Sequence, residues 1–205
     1  MSYEPEVHYL KVENYFSDEE LELIWRELDH LNRPGVFLLP EETGASIDIE
    51  TGMVRKQNAG VFISEIYKKP KYSAIYGILG KLFQGYTYRF ATEHYSNRGV
   101  LQTEASDHLI SYYENQDHYK PHRDNAVSTA LHWLWKEPKK FEGGELTFTE
   151  TGETIPLTNN TMIIFPSYVE HEVSPVVMAP EDCGKGLGRY CLSTFLFTSL
   201  NIDDR

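Results

Sequence analysis

The chain has 205 residues, a net charge of −12 and 40% hydrophobic residues, values typical of one ordinary globular domain. The acidity argues against a role built on affinity for nucleic-acid phosphates and would suit a basic partner. No apolar run reaches the roughly 18 residues that span a bilayer, and the N-terminus lacks a signal pattern, so we expect a cytoplasmic protein with no membrane partner.

The first half of the sequence predicts two helices. In the segment 16–31, Ser17 and Glu20 match a capping box, which marks the start of a helix. An apolar stripe then follows at helical spacing: Leu21, Ile24, Leu28 and Leu31. The segment 71–86 predicts a second helix, weakened by internal glycines. Both helices need a surface on which to pack.

A polar stretch, residues 41–62, lies between the two predicted helices and has no periodicity of its own. Long irregular segments of this kind are binding loops or lids, or else solvated connections. Arg55, Lys56 and Gln57 gather hydrogen-bond donors in an otherwise acidic chain. Such donors suit peptide carbonyls or a substrate carboxylate, and we assign these three residues to a candidate substrate loop.

From about residue 108 the hydrophobic period changes to two, which predicts a series of short strands. Seven runs carry the pattern: 108–115, 127–135, 144–151, 153–157, 161–167, 171–177 and 189–199. Many short strands without intervening helices indicate a sandwich, barrel or jelly roll. We therefore expect one mainly β, α+β domain over residues 1–205. Its helical part spans about 1–105 and supports a jelly-roll core, or double-stranded β-helix, at about 106–200.

Four polar residues in this strand-rich half are candidates for a functional site. His122 and Asp124 lie in the extended stretch DHYKPHRDNAV, and His171 begins a later strand. Two imidazoles and one carboxylate form the facial triad that holds non-haem Fe(II) with other coordination positions open. Arg189 enters the last core strand, where its charge needs an anion, either a ligand carboxylate or an internal Glu.

At these residues the sequence resembles the 2-oxoglutarate and Fe(II)-dependent oxygenases, in particular the prolyl 4-hydroxylase-like group. The resemblance runs from about residue 8 to 199. It includes HYLKVENYFSDEELELI, FEGGELTF and TMIIFPSYVEHEVSPV in the same order as in that group. It implies that His122, Asp124 and His171 are catalytic iron ligands and that Arg189 binds the distal carboxylate of 2-oxoglutarate.

The resemblance also implies further cosubstrate contacts and a moving loop. Tyr112, Tyr119, Ser193 and Trp133 match positions that touch 2-oxoglutarate or line its pocket. Relatives fold a mobile loop over the bound peptide, which implies that residues 47–58 close over the substrate here. The implied cofactors are Fe(II), 2-oxoglutarate as cosubstrate and O₂, with ascorbate as a reductant.

These implications define the functions in competition. The leading hypothesis is an oxidoreductase, a dioxygenase that hydroxylates a prolyl residue in a protein or peptide, with a basic peptide favoured by the acidic chain. The alternative is a hydroxylase of a free amino acid or small metabolite. A nucleic-acid demethylase is disfavoured by the net charge. A non-enzymatic binding jelly roll ranks last, because it would make all four polar residues coincidental.

Overall fold

The strands of this chain pair into antiparallel sheets, which a computed structural model describes over residues 6–43 and 55–198. Thirteen strands lie within those two ranges. They are β1 Leu10–Glu13, β2 Lys56–Gln57, β3 Ala59–Phe62, β4 Ala105–Tyr113, β5 His118–His122, β6 Ser128–Leu134, β7 Phe141–Gly143, β8 Leu146–Phe148, β9 Glu153–Ile155, β10 Thr161–Pro166, β11 His171–Val173, β12 Val176–Met178 and β13 Arg189–Phe197.

Two larger sheets face each other. One has six strands in the order β1-β10-β6-β13-β4-β3, and the other has five in the order β2-β5-β11-β8-β9. A two-stranded sheet joins β12 to β7. An apolar cluster that includes Trp133, Phe148 and Phe165 draws residues from both larger sheets, so the core lies between them. This arrangement confirms the mainly β jelly roll with supporting helices that the sequence predicts.

The helices cover the outer face of the six-stranded sheet. Four α-helices lie in the described ranges: α1 Asp18–Leu31, α2 Ile63–Ile66, α3 Ala74–Leu79 and α4 Tyr86–Glu93. A second apolar cluster includes Ile24 of α1, Leu79 of α3 and Ile110 of β4, so these helices pack on that sheet. None of the helices in these ranges combines the length and apolar character needed to cross a bilayer.

The start of α1 has the predicted capping box. The Ser17 hydroxyl accepts a hydrogen bond from the backbone N–H of Glu20, and the Glu20 carboxylate accepts one from the backbone N–H of Ser17. Of the predicted stripe, Ile24, Leu28 and Leu31 are fully buried. The cap therefore satisfies backbone donors that the first helical turn leaves free, while the stripe provides the packing.

Replacing the cap should destabilise the protein measurably. We expect Ser17→Ala to lower the free energy of unfolding by about 1 kcal/mol, because the Glu20 N–H loses its acceptor. Ser17→Asp retains an acceptor oxygen and should stay near the wild type. Urea denaturation followed by circular dichroism measures both. Equal midpoints for the wild type and Ser17→Ala would contradict the role of the cap.

The second predicted helix is broken into pieces. In place of one helix over 71–86, α3 runs into a 3₁₀ turn at Gly80–Phe83, and α4 begins only at Tyr86. Gly85, at the N-cap of α4, has φ +117°, a conformation that L-residues rarely adopt. The expectation of one continuous helix is therefore wrong, because the chain turns at this glycine.

The first hundred residues also contribute strands, which the helical pattern does not predict. β1 pairs with β10, β2 with β5, and β3 with β4, so this part of the chain adds to both larger sheets. These strands have two to four residues, too few to show a reliable alternation.

The predicted strand series in the second half is confirmed, since each of the seven runs overlaps a strand. The run 171–177 holds β11 and the start of β12, separated by Ser174 and Pro175. Proline has no N–H to donate to a ladder, which explains a break at this point. The three-residue strand β7 was not predicted.

Candidate functional site

His122, Asp124 and His171 lie together at one end of the five-stranded sheet. His122 ends β5 and His171 begins β11, and these two residues are direct partners in the antiparallel ladder. Asp124 follows two residues after His122. The potential ligand atoms of the three side chains lie within 4.8 Å of one another. The pairing of β5 with β11 therefore brings together residues about fifty positions apart in the sequence.

Backbone carbonyls orient both imidazole rings. The Nδ1 of His122 lies 2.9 Å from the carbonyl oxygen of Lys120, and the Nδ1 of His171 lies 3.0 Å from that of Val169. An N–H at Nδ1 that donates to these carbonyls leaves the Nε2 lone pair free. Each Nε2 lies 3.6 Å from an oxygen of Asp124. The three side chains thus present two nitrogens and a carboxylate to one point.

Asp124 is held by its own hydrogen bonds. Its Oδ2 accepts from the hydroxyl of Thr129 at 2.7 Å, and its backbone N–H donates to the carbonyl of Ser167 at 3.1 Å. The Thr129 and Ser167 hydroxyls lie 2.8 Å apart. Thr129 is a positioning residue that the sequence analysis missed, because nothing in a β-strand pattern distinguishes it from a structural threonine.

Burial favours the neutral, ligating form of the first histidine. The pKa of His122 is lowered to about 3, mainly by desolvation and then by the nearby His171. The Tyr119 ring stacks on the His122 imidazole, with centroids 3.5 Å apart and planes 12° apart. A neutral imidazole can offer a lone pair at neutral pH, so this arrangement can hold a divalent metal ion.

Arg189 lies in the same pocket as the three residues. It is fully buried, and none of its guanidinium nitrogens hydrogen-bonds to any group in the described part of the chain. The guanidinium carbon lies 4.8 Å from the centroid of the Tyr113 ring. A buried cation without an anion is unfavourable, so this side chain is arranged for an anionic ligand. An internal Glu partner is not found among the described residues.

The second glycine of FEGGELTF makes room for Arg189. Gly144 has φ +78°, and a Cβ placed there would lie 2.8 Å from the Cδ of Arg189. Any larger residue would push the arginine from its position. This contact gives a physical reason for one glycine of the motif.

The pocket that contains these groups lies between the two larger sheets. Its lining combines polar groups with an apolar wall: Lys56, Leu109, Ser111, Tyr113, Tyr119, His122, Asp124, Leu131, His171, Val173, Arg189, Cys191, Ser193 and Phe195. Predicted cosubstrate residues Arg189, Tyr119 and Ser193 are thus brought together with the three candidate ligands. Tyr113, Cys191 and Ser111 were not predicted.

Two expected cosubstrate residues do not line this pocket. The Tyr112 hydroxyl donates to Glu114 and accepts from the backbone N–H of Gly188, on the helix-covered side of β4. Successive strand residues face opposite sides, so Tyr113 takes the pocket side instead. Trp133 is fully buried in the apolar cluster between the sheets, and it lies beside Cys191 rather than in the lining.

The candidate substrate loop is partly a strand. Lys56 and Gln57 form β2, opposite Tyr119 and His118 of β5, and the carbonyl of Arg55 accepts a hydrogen bond from the N–H of Lys120. Lys56 is 1% exposed and lines the pocket, and burial lowers its pKa to about 8. Of the segment 47–58 expected to close over the substrate, residues 47–54 lie outside the described ranges.

Comparison with known proteins agrees with this geometry. Residues 108–197 match the family model of the 2OG-Fe(II) oxygenase superfamily, which covers the candidate ligands and Arg189. No match was found among curated protein sequences.

Solved structures share the fold at low sequence identity. A Pseudomonas putida prolyl-4-hydroxylase superposes with a TM-score of 0.62 at 16% identity, covering 93% of this chain and 92% of its own. A Trichoplax adhaerens prolyl hydroxylase, solved with a hypoxia inducible factor peptide fragment, gives 0.63 at 15%, covering 93% and 84%. A Burkholderia pseudomallei oxidoreductase of the 2OG-Fe(II) oxygenase family gives 0.55 at 15%, covering 93% and 85%.

The family uses Fe(II), 2-oxoglutarate and O₂, and the residues of the pocket fit these groups. A cluster of two imidazoles and a carboxylate suits a divalent iron, and the unpaired guanidinium of Arg189 suits a carboxylate. Residues 108–197 thus match the 2OG-Fe(II) oxygenase superfamily model, and the chain shares the fold of the solved prolyl hydroxylases.

Proposed function

We propose that this protein is a 2-oxoglutarate- and Fe(II)-dependent hydroxylase that acts on a prolyl residue in a protein or peptide. The observation that supports it most is the presence in one pocket of a three-residue metal cluster and a buried, unpaired arginine. A structural metal site would close the coordination sphere with a fourth protein ligand, whereas an open set of three leaves room for a chelating cosubstrate.

Each polar residue has a role in this proposal. His122, Asp124 and His171 hold Fe(II), and Arg189 binds the distal carboxylate of 2-oxoglutarate, with Ser193, four residues further along β13, in the same pocket. When bound, Fe(II), 2-oxoglutarate and O₂ supply an oxidative decarboxylation that yields succinate and CO₂ and the oxygen atom inserted into a C–H bond. The two hydrogen bonds to backbone carbonyls keep both imidazoles pointed at the metal position.

The apolar side chains of the pocket keep water away from the metal and cosubstrate positions. Leu109, Leu131, Val173 and Phe195 line the space around the metal and cosubstrate positions. Such side chains exclude bulk water, which strengthens the electrostatic contacts of Arg189 and protects a reactive site from side reactions. The stacked Tyr119 covers one face of His122 in the same way.

The choice of a prolyl residue as substrate is the more specific part of the proposal. Prolyl hydroxylases from Pseudomonas putida and Trichoplax adhaerens share the fold over more than nine-tenths of this chain, and the second was solved with a peptide fragment. The net charge of −12 suits a basic peptide. We place this reaction in the cytoplasm, where thiols stay reduced, in keeping with free Cys183 and Cys191.

A second candidate function is hydroxylation of a free amino acid or another small acid. The observation that favours it is the buried Lys56, an additional cation in the pocket that suits a substrate carboxylate. Free acids carry that group beside the reacting carbon, whereas an internal prolyl residue does not.

Succinate formation tests the proposed function. The purified protein is incubated with Fe(II) and 2-oxoglutarate over a panel of proline-containing peptides and free amino acids. We expect a peptide to stimulate succinate formation and to gain one oxygen atom on proline, as seen by mass spectrometry. Stimulation only by free amino acids would replace the prolyl proposal with the second candidate. Absence of succinate with every compound would contradict both.

Removal of the carboxylate ligand gives a related prediction. We expect Asp124→Gly to lose hydroxylation while it still binds Fe(II) weakly, because both imidazoles remain. Product formation and metal content after gel filtration measure the two effects. Hydroxylation at the wild-type rate in a folded Asp124→Gly protein would show that this carboxylate is not a ligand.

A further inference from the structure

The side chain of Lys56 is buried in the pocket without a hydrogen-bond partner among the described residues. It is 1% exposed, and its Nζ makes no hydrogen bond to any group in the described ranges. It lies near the face of the Tyr119 ring, 5.9 Å from the centroid. A lysine that is almost fully desolvated normally has an anion or several acceptors around it. Here the Nζ has no acceptor among the described residues, and the carboxylate of Asp124, in the same pocket, is already assigned to the metal.

Strand pairing fixes Lys56 at this position. β2 pairs with β5 of one larger sheet, and Gly60 of β3 pairs with Ser111 of β4 in the other. A Cβ placed at Gly60 would be in van der Waals contact with the Nζ of Lys56, at 3.5 Å. The lysine therefore crosses the space between the two sheets, and its ammonium group ends beside Gly60 of the opposite sheet.

Lys56 and Arg189 lie at different positions along strand β4, which forms one side of the pocket. Arg189 pairs with Tyr113 of β4, whereas the Nζ of Lys56 lies at the level of Gly60 and Ser111. Two residues along a strand correspond to about 7 Å. A carboxylate held by Arg189 against Tyr113 therefore leaves Lys56 free to bind a different group.

Charge balance points to one further carboxylate, beyond those of Asp124 and 2-oxoglutarate. In the proposed complex, the positive charges of Fe(II) and Arg189 are matched by Asp124 and the two carboxylates of 2-oxoglutarate. Lys56 then remains as a buried cation without a counter-charge. A low-polarity pocket disfavours such a charge, so a bound anion would be strongly stabilised there.

We propose that Lys56 binds a carboxylate of the primary substrate. This inference rests on the proposed oxygenase function and narrows its substrate class to molecules with an anionic group close to the hydroxylated carbon. The carboxylate belongs either to a free amino acid or small acid, or to an acidic side chain or C-terminus of a peptide. Both sources share the same chemistry at Lys56.

Binding to the metal-substituted protein tests the proposal without turnover. Zn(II) replaces Fe(II), 2-oxoglutarate is added, and ligand-observed NMR measures binding of matched compounds. One arm uses free amino acids and their amides. The other uses peptides with free or amidated C-termini and with Glu or Gln beside proline. We expect carboxylates to bind the wild type and their uncharged partners to bind at least about tenfold more weakly.

Variants assign the effect to one side chain. Lys56→Met and Lys56→Gln should lose the preference for the carboxylate, whereas Lys185→Met, at an exposed lysine, should keep it. The arm that shows binding identifies the source of the carboxylate. If no carboxylate binds the wild type, or if every compound that binds does so equally in both Lys56 variants, the proposal is wrong.

Two further readouts separate this inference from other outcomes. The affinity of the Zn(II) protein for 2-oxoglutarate should change less than twofold in Lys56→Met, and a fall of tenfold or more would assign Lys56 to the cosubstrate instead. Without ligands, Lys56→Met should melt at a higher temperature than the wild type, because a buried unpaired charge is removed. A lower melting temperature would indicate a structural role.

Failure of the wild type to bind 2-oxoglutarate would instead contradict the proposed function itself.

Discussion

His171→Ala and His122→Ala should each abolish hydroxylation and lower the affinity for Fe(II) by more than about a hundredfold. Each substitution leaves one imidazole and one carboxylate, a weaker set of ligands than the two imidazoles that remain in Asp124→Gly. The fold should persist, because each ring bonds to the protein mainly through one backbone carbonyl. Metal content and circular dichroism of the same purified sample measure both effects.

A histidine on the same strand provides the control. His118 lies in β5, as His122 does, but its Nδ1 lies 3.0 Å from the carbonyl oxygen of Gln116 and its side chain does not line the pocket. His118→Ala should therefore retain metal and activity. Full activity in folded His122→Ala or His171→Ala would end the interpretation of this cluster as a metal centre.

Arg189→Met should weaken the binding of 2-oxoglutarate by about tenfold or more, because a charge-assisted contact contributes roughly 1.5–3 kcal/mol. Methionine fills similar space without a charge, and no protein partner among the described residues loses a hydrogen bond. The variant should therefore fold. Calorimetric titration of 2-oxoglutarate into the Zn(II)-loaded protein measures the affinity directly.

An exposed arginine is the matched control for this variant. Arg89 lies on α4, where its Nε is 3.9 Å from the carboxylate of Glu93. It does not line the pocket. Arg89→Met should bind 2-oxoglutarate as the wild type does. If Arg189→Met keeps its affinity for 2-oxoglutarate and loses affinity for the substrate alone, the guanidinium serves the substrate.

The features predicted correctly from the sequence depend on local patterns. The capping box at Ser17 and Glu20 and the strands after residue 108 follow from spacing within a few residues. The convergence of His122 with His171 follows from the resemblance, because local spacing cannot bring together residues of two separate strands. The ladder between β5 and β11 provides the physical basis for that contact.

The features that were not predicted depend on strand register. Tyr112 and Tyr113 are adjacent aromatic residues, and only the pairing of β4 decides which one faces the pocket. Lys56 was assigned to a polar loop. It instead belongs to a two-residue strand that pairs with β5, and its side chain points into the pocket. A strand of two residues carries no periodic signal that could reveal this orientation.

Metal-dependent binding of 2-oxoglutarate tests the central claim most directly. The protein is freed of metal with a chelator, and 2-oxoglutarate is titrated by calorimetry before and after addition of Zn(II). We expect one binding site that is strong with metal and much weaker without it, because the cosubstrate needs both Arg189 and the ion held by the triad. Equal affinity in the two titrations, or no binding in either, would contradict the account.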